Sequence, residues 1–359
     1  MLSLKYLEDK IFTNEIVKMY QKLNTELIDS IIDKLKETGD ISSYTRQQVQ
    51  NIAKRGGREI FINSIKNSKK LSKERKKELV ALFSEITKDN IESYRELYNL
   101  ADEKLEISNS QLKILNAMVK MTDGEINNFT KTIAFSNKQD FVNAIDKMYF
   151  QVTTGGTDFQ TAFRQATNEL AKKGVVLTMS NGNKRSLESA VRQNVMYGIR
   201  QTVREINDDI GEKLNCDGVQ INITPNCRHE HIPINGQKFR VDSKEWKKYQ
   251  DLLEDYNCQH YATPIFYNIE DNIYTEKEIQ SANNRTVNID GEELPYYEAT
   301  QKQRALERAV RNAKKEYMNN QTPENKKRVL NAQKNVREYC TKAGLERQYD
   351  REYYAGYNN

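Results

Sequence analysis

Two short stretches of the sequence bring together cysteine and histidine, the side chains that most often bind zinc in proteins. The chain has 359 residues but only three histidines and four cysteines. All three histidines lie beside or close to a cysteine, in "NCRHEH" and in "NCQHY". This clustering predicts a metal site, a reactive centre or the signature of a protein family. The candidate metal ligands are Cys227, His229, His231, Cys258 and His260.

Alternation of side chains along an extended segment would place Cys227, His229 and His231 on one side of a strand. Cys258 and His260 could then complete the site from a second loop. A structural zinc ion that joins two parts of a small, loop-rich region is one interpretation. The other interpretation is that the same side chains are packed or hydrogen-bonded within that region. The spacing is not that of a zinc finger and leaves both open.

Glu230, next to His231, is the residue that could support catalysis, as a base acting on metal-activated water. The alternative function is therefore a metal-dependent, nucleic-acid-acting enzyme centred on the His/Cys cluster. However, no second carboxylate or nucleophile motif accompanies Glu230. The stretch "GGTD" at Gly155 also lacks the downstream Gly-Lys-Ser/Thr of a phosphate-binding loop. We therefore expect no enzymatic activity.

The C-terminal region concentrates positive charge. From Thr300 to Arg347 there are thirteen Lys and Arg against five Glu, whereas the net charge of the whole chain is +5. Such a segment could bind double-stranded DNA through its phosphates, without sequence preference. A solvated helix, or a helix docked on an acidic partner, is the alternative. The candidate nucleic-acid-binding residues are Lys302, Arg304, Arg308, Arg311, Lys314 and Lys315.

The part of the chain that precedes these residues is predicted to be mostly helical, because the first 224 residues contain no proline and proline is what most often interrupts a helix. The sequence predicts a mainly α protein with a small α+β module. We expect a helical N-terminal arm or bundle over residues 1–140 and a central α+β module over 141–297. A basic αα-hairpin with a tyrosine-rich tail is expected over 298–359.

Several local expectations are more specific. Ser43–Arg55 and Arg58–Asn67 are predicted as separate helices, and "GVQINIT" as an edge strand. The tail "ERQYDREYYAGYNN" is expected to be extended or attached to a partner. Charged residues make up 30% of the chain, and no apolar run reaches the ~18–20 residues of a membrane span. We therefore expect no membrane partner.

Four stretches resemble the phage minor capsid proteins, a family related to the Mu-type head morphogenesis proteins. They are "NELAKKGV" with "SAVRQNVMYGIRQTV", "RHEHIPINGQKF", "NCQHY" and "YYEATQKQRALERAVRNAKKEY". The resemblance covers about residues 140–317, and Gln259 stands where the family usually has Arg. The residues that match the motifs of the family are Arg228, His231, Gly236, Phe239, Asn257, Cys258 and His260.

The resemblance implies a structural, low-copy protein of a tailed-phage head, at the portal vertex or in the head interior. It implies synthesis in the cytoplasm of the host bacterium and a final location in the virion. The implied partners are the portal protein, the major capsid protein and other copies of this chain, and packaged DNA is a further expected partner. The sequence establishes no cofactor, and a structural zinc ion is one of the two interpretations of the His/Cys cluster.

Overall fold

The computed structural model describes most of the chain. The N-terminal residues Leu7, Lys10 and Ile11 are described, followed by residues 14–97, 107–179, 182–225, 227–254, 258, 260–268 and 273–357. Asn226, Asn257 and Gln259, which belong to the sequence motifs above, lie outside the described residues. The described residues are mainly helical with a few short antiparallel sheets, which confirms the predicted fold class.

The helices are numbered in chain order. They are α1 (Glu15–Glu37), α2 (Arg46–Lys70), α3 (Ser72–Leu97), α4 (Asn109–Thr153), α5 (Phe159–Lys173), α6 (Leu187–Leu214), α7 (Lys244–Tyr249), α8 (Glu276–Asn283), α9 (Tyr296–Asn319) and α10 (Pro323–Ala343).

The strands are short and pair only in the antiparallel direction. They are β1 (Val176–Thr178), β2 (Lys184–Ser186), β3 (Gly218–Ile221), β4 (Lys238–Arg240), β5 (Ala262–Ile265), β6 (Thr286–Ile289) and β7 (Glu292–Pro295). Three 3₁₀ segments complete the described elements: His229–Ile234, Gln250–Glu254 and Tyr349–Glu352.

Helices α1 to α6 share one hydrophobic core. The long helix α4 packs against α2, α3, α5 and α6, and α1 contributes a fully buried apolar stripe that includes Ile16, Leu27 and Ile31. Spacing of three and four residues places such side chains on one face of a helix. The core joins residues on both sides of position 140, and α4 runs through that position. The proposed division at residues 140 and 297 stays a prediction.

The prediction of two helices over residues 43–67 is wrong, since α2 is continuous through Gly56 and Gly57. A Cβ atom on Gly56 would lie 2.5 Å from the ring of Phe141. The glycine pair therefore does not end the helix. It lets the backbone of α2 approach α4 closely, and packing between the helices outweighs the low helix propensity of glycine.

Within the predicted central region, residues 218–265 form a unit built on a three-stranded sheet with the order β4-β3-β5, and the name central module refers to this unit from here on. The predicted edge strand is thus the central strand, and all four residues of β3 are buried. Its core is small, with Val219, Ile221, Ile234, Phe239 and Ala262 buried. Polar contacts attach the module to the helices, because Asn207 of α6 donates to the carbonyl oxygen of Ala262 at 2.8 Å.

The C-terminal helices α9 and α10 form the predicted hairpin, with Thr322 capping α10 and Pro323 at its first position. The tail that follows is not extended, because it folds back onto α1. Tyr354 is buried, and its hydroxyl accepts a hydrogen bond from Asn24 at 3.1 Å. Gln21 accepts one from the backbone N–H of Ala355 at 2.8 Å. Within the described residues, the tail therefore packs against its own chain.

Among the residues that the structure describes, no helix combines the length and hydrophobicity that crossing a membrane requires.

Candidate functional site

Two loops of the central module bring His231, Cys258 and His260 together. His231 lies in the 3₁₀ segment His229–Ile234, and the other two residues precede β5. The Cys258 Sγ atom lies 3.5 Å from His231 Nδ1 and 3.6 Å from His260 Nδ1. The two imidazole rings are stacked, with their centroids 5.3 Å apart. All three side chains are buried, and one donor atom of each lies within 4.8 Å of the others.

The structure does not bring Cys227 and His229 into this group. The segment is a 3₁₀ helix and not the expected strand, so residues two apart point in different directions. His229 is consequently exposed while His231 is buried. Cys227 is half-buried and lies close enough to Cys258 for their charges to interact. The structure therefore brings together three of the five predicted ligands, His231, Cys258 and His260.

Asparagine side chains, which the sequence reasoning missed, hold the two loops in place. Asn235 Oδ1 accepts a hydrogen bond from the backbone N–H of Thr224 at 2.7 Å and lies 3.1 Å from His260 Nε2. Asn222 Oδ1 accepts the backbone N–H of Tyr261 at 2.7 Å. The signal available in the sequence was weak, since Asn followed by Gly, as in Asn235–Gly236, usually indicates only a turn.

Burial dominates the electrostatics of the cluster. Burial lowers the pKa of His260 to about 3, and the neighbouring His231 and Arg228 act in the same direction. Burial also raises the pKa of the Cys227 thiol to about 11. His260 is thus neutral at physiological pH, the state in which an imidazole nitrogen can accept a hydrogen bond or bind a metal.

Glu230, the candidate base, does not belong to the buried group. Its carboxylate is exposed and lies 3.4 Å from the guanidinium of Arg228. A general base must reach the proton that it removes, and this carboxylate is directed to a surface ion pair.

Three of the six predicted DNA-binding residues are buried inside the protein. Arg311 Nε lies 3.2 Å from Glu188 Oε1, and Lys315 Nζ donates to the carbonyl oxygen of Lys173 at 3.1 Å. Lys314 lies over the ring of Tyr357. The placement of Arg311, Lys314 and Lys315 on a DNA-facing surface is therefore wrong for this fold. The tail, α5 and the first turn of α6 cover the polar side of α9, which helical periodicity alone could not reveal.

The basic residues that remain accessible lie elsewhere on the hairpin. Lys302 and Arg308 are exposed and Arg304 is half-buried. On α10, Lys326, Lys327 and Arg337 are exposed too, although the sequence reasoning did not select them. Within the described part of the chain, no ion pair or hydrogen bond engages four of these side chains. We call them the exposed basic set: Arg308, Lys326, Lys327 and Arg337.

The comparisons with known proteins give one match. The family model described as phage minor capsid protein 2 matches residues 5–343. No curated protein and no solved structure matches the chain. The match spans the helical bundle, the His/Cys module and the C-terminal hairpin, and so it extends well beyond the four motifs of the central region. The family indicates a structural role, a location in the virion and contacts with other virion components. The chain therefore belongs to the phage minor capsid protein 2 family.

Proposed function

We propose that the protein is a low-copy structural component of a tailed-phage head, located at the portal vertex or in the head interior. The observation that carries this proposal is the family match, which includes nearly every described element. Its partners are the portal protein, the major capsid protein and other copies of this chain. The role is structural and not enzymatic, as the family indicates, and no Asp or Glu of the described residues joins the buried group.

The exposed basic set supports a contact with packaged DNA. Its four side chains point to solvent from α9 and α10, and exposed Lys and Arg bind phosphates without reading the base sequence. The buried residues Arg311 and Lys315 take no part in this contact. Their positive charges instead compensate Glu188 inside the fold.

Quantitative mass spectrometry of purified, DNA-filled particles tests the location. A protein confined to one vertex or to the interior should be present in far fewer copies than the major capsid protein. Protease treatment of intact particles should leave the protein uncut, whereas the same treatment should cleave it in particles opened by osmotic shock. A copy number equal to that of the major capsid protein, or absence from the particles, would contradict the proposal.

The salt dependence of binding to duplex DNA tests the DNA contact. Changing Arg308, Lys326, Lys327 and Arg337 to Gln should make the slope of log affinity against log salt shallower by up to about 3 to 4, since each phosphate contact contributes about 0.9. A matched variant carries four Gln substitutions on the exposed surface of α2, at Lys54, Arg55, Arg58 and Lys66. This control should keep the wild-type slope. An unchanged slope in the hairpin variant, or an equal change in both, would overturn the contact.

A further inference from the structure

Residues of two rare types, histidine and cysteine, meet at one buried point of the chain. Two of its three histidines and one of its four cysteines converge there, from two loops separated by β4 and α7. Imidazole nitrogen and thiolate sulfur are the donors that zinc prefers. Hydrophobic side chains could join two buried loops without the desolvation free energy that polar groups require. The presence of these donor residues therefore points to a ligand.

Two of the three separations between ligand atoms match those around a tetrahedral ion, and the third lies within 4.8 Å. With a Zn–S bond of about 2.3 Å and a Zn–N bond of about 2.05 Å, a tetrahedral angle separates sulfur and nitrogen by about 3.6 Å. The separations between Cys258 Sγ and the two Nδ1 atoms are 3.5 and 3.6 Å. The same spacing also suits sulfur hydrogen bonds, so the protons of the group must be considered next.

His260 already has the tautomer that a metal requires. Asn235 directs its amide nitrogen to the carbonyl oxygen of Thr224 and to Asn283, so its Oδ1 atom faces His260 as an acceptor. His260 therefore carries its proton on Nε2 and donates it to Asn235 at 3.1 Å. This leaves the lone pair of Nδ1 directed toward Cys258. A second hydrogen bond that orients a metal-binding imidazole in this way is a regular feature of zinc sites.

His231 has the opposite arrangement. Arg228 Nη2 lies 3.2 Å from His231 Nε2, and a guanidinium can only donate. In this state Nδ1 carries the proton and donates to Cys258. Binding of a metal through Nδ1 moves that proton to Nε2 and turns Arg228 away. The guanidinium is half-buried and also faces the exposed carboxylate of Glu230, so it can make this movement.

We propose that His231 Nδ1, Cys258 Sγ and His260 Nδ1 bind one Zn²⁺ ion. The thiol proton of Cys258 is released to solvent when the Zn–S bond forms, and no electron is transferred. Because all three ligands are buried and no Asp or Glu of the described residues joins them, the ion has a structural role. It joins the loop before β4 to the loop before β5, and so stabilises a module whose hydrophobic core is small.

The test uses the full chain, stripped with a chelator and then titrated with Zn²⁺ or with Co²⁺ as a spectroscopic probe. Wild type should bind one ion per chain and show the charge-transfer absorption of a cobalt–thiolate bond. Cys258→Ser should lose that absorption, and His260→Gln should lose binding in competition with a chelator. Cys227→Ser and His229→Ala are matched controls from the same loop and should behave as wild type.

Two results would overturn the site. One is a wild-type chain that binds no metal and shows no cobalt–thiolate absorption, which leaves the group as a hydrogen-bonded cluster. The other is loss of the absorption in Cys227→Ser while Cys258→Ser retains it. If Cys258→Ser does not fold, as judged by circular dichroism, the wild-type cobalt spectrum still decides between the two states. The copy number in the virion is independent of either result.

Discussion

At the scale of single residues, the most informative feature is a set of charges buried where α1, α6, α9 and the tail meet. Burial acts to raise the pKa of Glu188, but Arg192 and Arg311 outweigh it and hold that pKa below its ordinary value. Glu307, one helical turn before Arg311, has a different environment. It is 1% exposed, and neither of its carboxyl oxygens has a hydrogen-bond partner among the described residues.

The consequence is a pH-dependent stability centred on Glu307. Burial raises its pKa from 4.5 to about 7, although the positive charges of Arg351 and Arg311 oppose the shift. Below pH 4.5 the folded and unfolded states both hold the proton, so the contribution to stability is fully present. Between pH 4.5 and about 7 the unfolded state releases the proton while the folded state still holds it. This release stabilises the unfolded state and lowers the free energy of unfolding until the folded state also loses the proton. Wild type should thereby lose about 3 kcal/mol of its free energy of unfolding.

Glu307→Gln should remove this loss, because the amide is neutral at every pH. The measurement is the free energy of unfolding in urea, at pH values from about 4.5 to about 8, for wild type and variant. Glu338→Gln, at an exposed position on α10, should follow the wild-type curve. Parallel curves for wild type and Glu307→Gln would show that the carboxyl is charged in the folded protein.

At the scale of elements, sequence patterns predicted the helices better than the contacts between them. The apolar residues of α1 recur at helical spacing, and Asp158 and Gly174 cap the two ends of α5, so the sequence alone is enough to place both helices. Sequence could not show that the polar face of α9 is covered, because amphipathic spacing distinguishes two faces but not what lies against the polar one. Similarly, His231 and Cys258 were identified by type, whereas the exclusion of His229 required the 3₁₀ geometry.

The sequence also does not show which glycines inside helices are required. Only the packing around each position distinguishes a required glycine from a replaceable one. A Cβ atom at Gly198 of α6 would lie 2.0 Å from Thr122 Oγ1 of α4, whereas one at Gly124 of α4 would meet nothing within 4 Å. Gly198→Ala should lower the free energy of unfolding by about 1–3 kcal/mol through overpacking. Gly124→Ala should raise it by about 0.5–1 kcal/mol, because alanine favours the helix. Thermal or urea unfolding of both variants measures the difference, and equal effects would contradict the close crossing of α4 and α6.

At the scale of the whole molecule, the chain has hydrophobic cores of very unequal size. The first extends from α1 to α6 and includes β1, while the core of the central module has five buried apolar side chains. The stability of a small unit is limited by how little surface it can bury. Its attachment to the bundle includes polar contacts such as those of Asn207, which also accepts a hydrogen bond from Asn90 at 2.9 Å. We therefore expect the module to open before the bundle does.

The single tryptophan makes this order measurable. Trp246 packs on the core of the module, 5.8 Å between ring centroids from Phe239, whereas the helical circular dichroism signal comes mainly from the bundle. In the chelator-treated protein, tryptophan fluorescence should change at a lower urea concentration than circular dichroism does, which breaks two-state behaviour.

Adding Zn²⁺ should raise the midpoint of the fluorescence transition toward that of the dichroism, because a ligand that binds only the folded module stabilises it. His229→Ala should respond to Zn²⁺ as wild type does, and His260→Gln should not. Coincident transitions in the chelated protein would mean that the module and the bundle unfold as one cooperative unit. The contacts of α6 with the module would then couple the two parts more strongly than the small size of the module's core suggests.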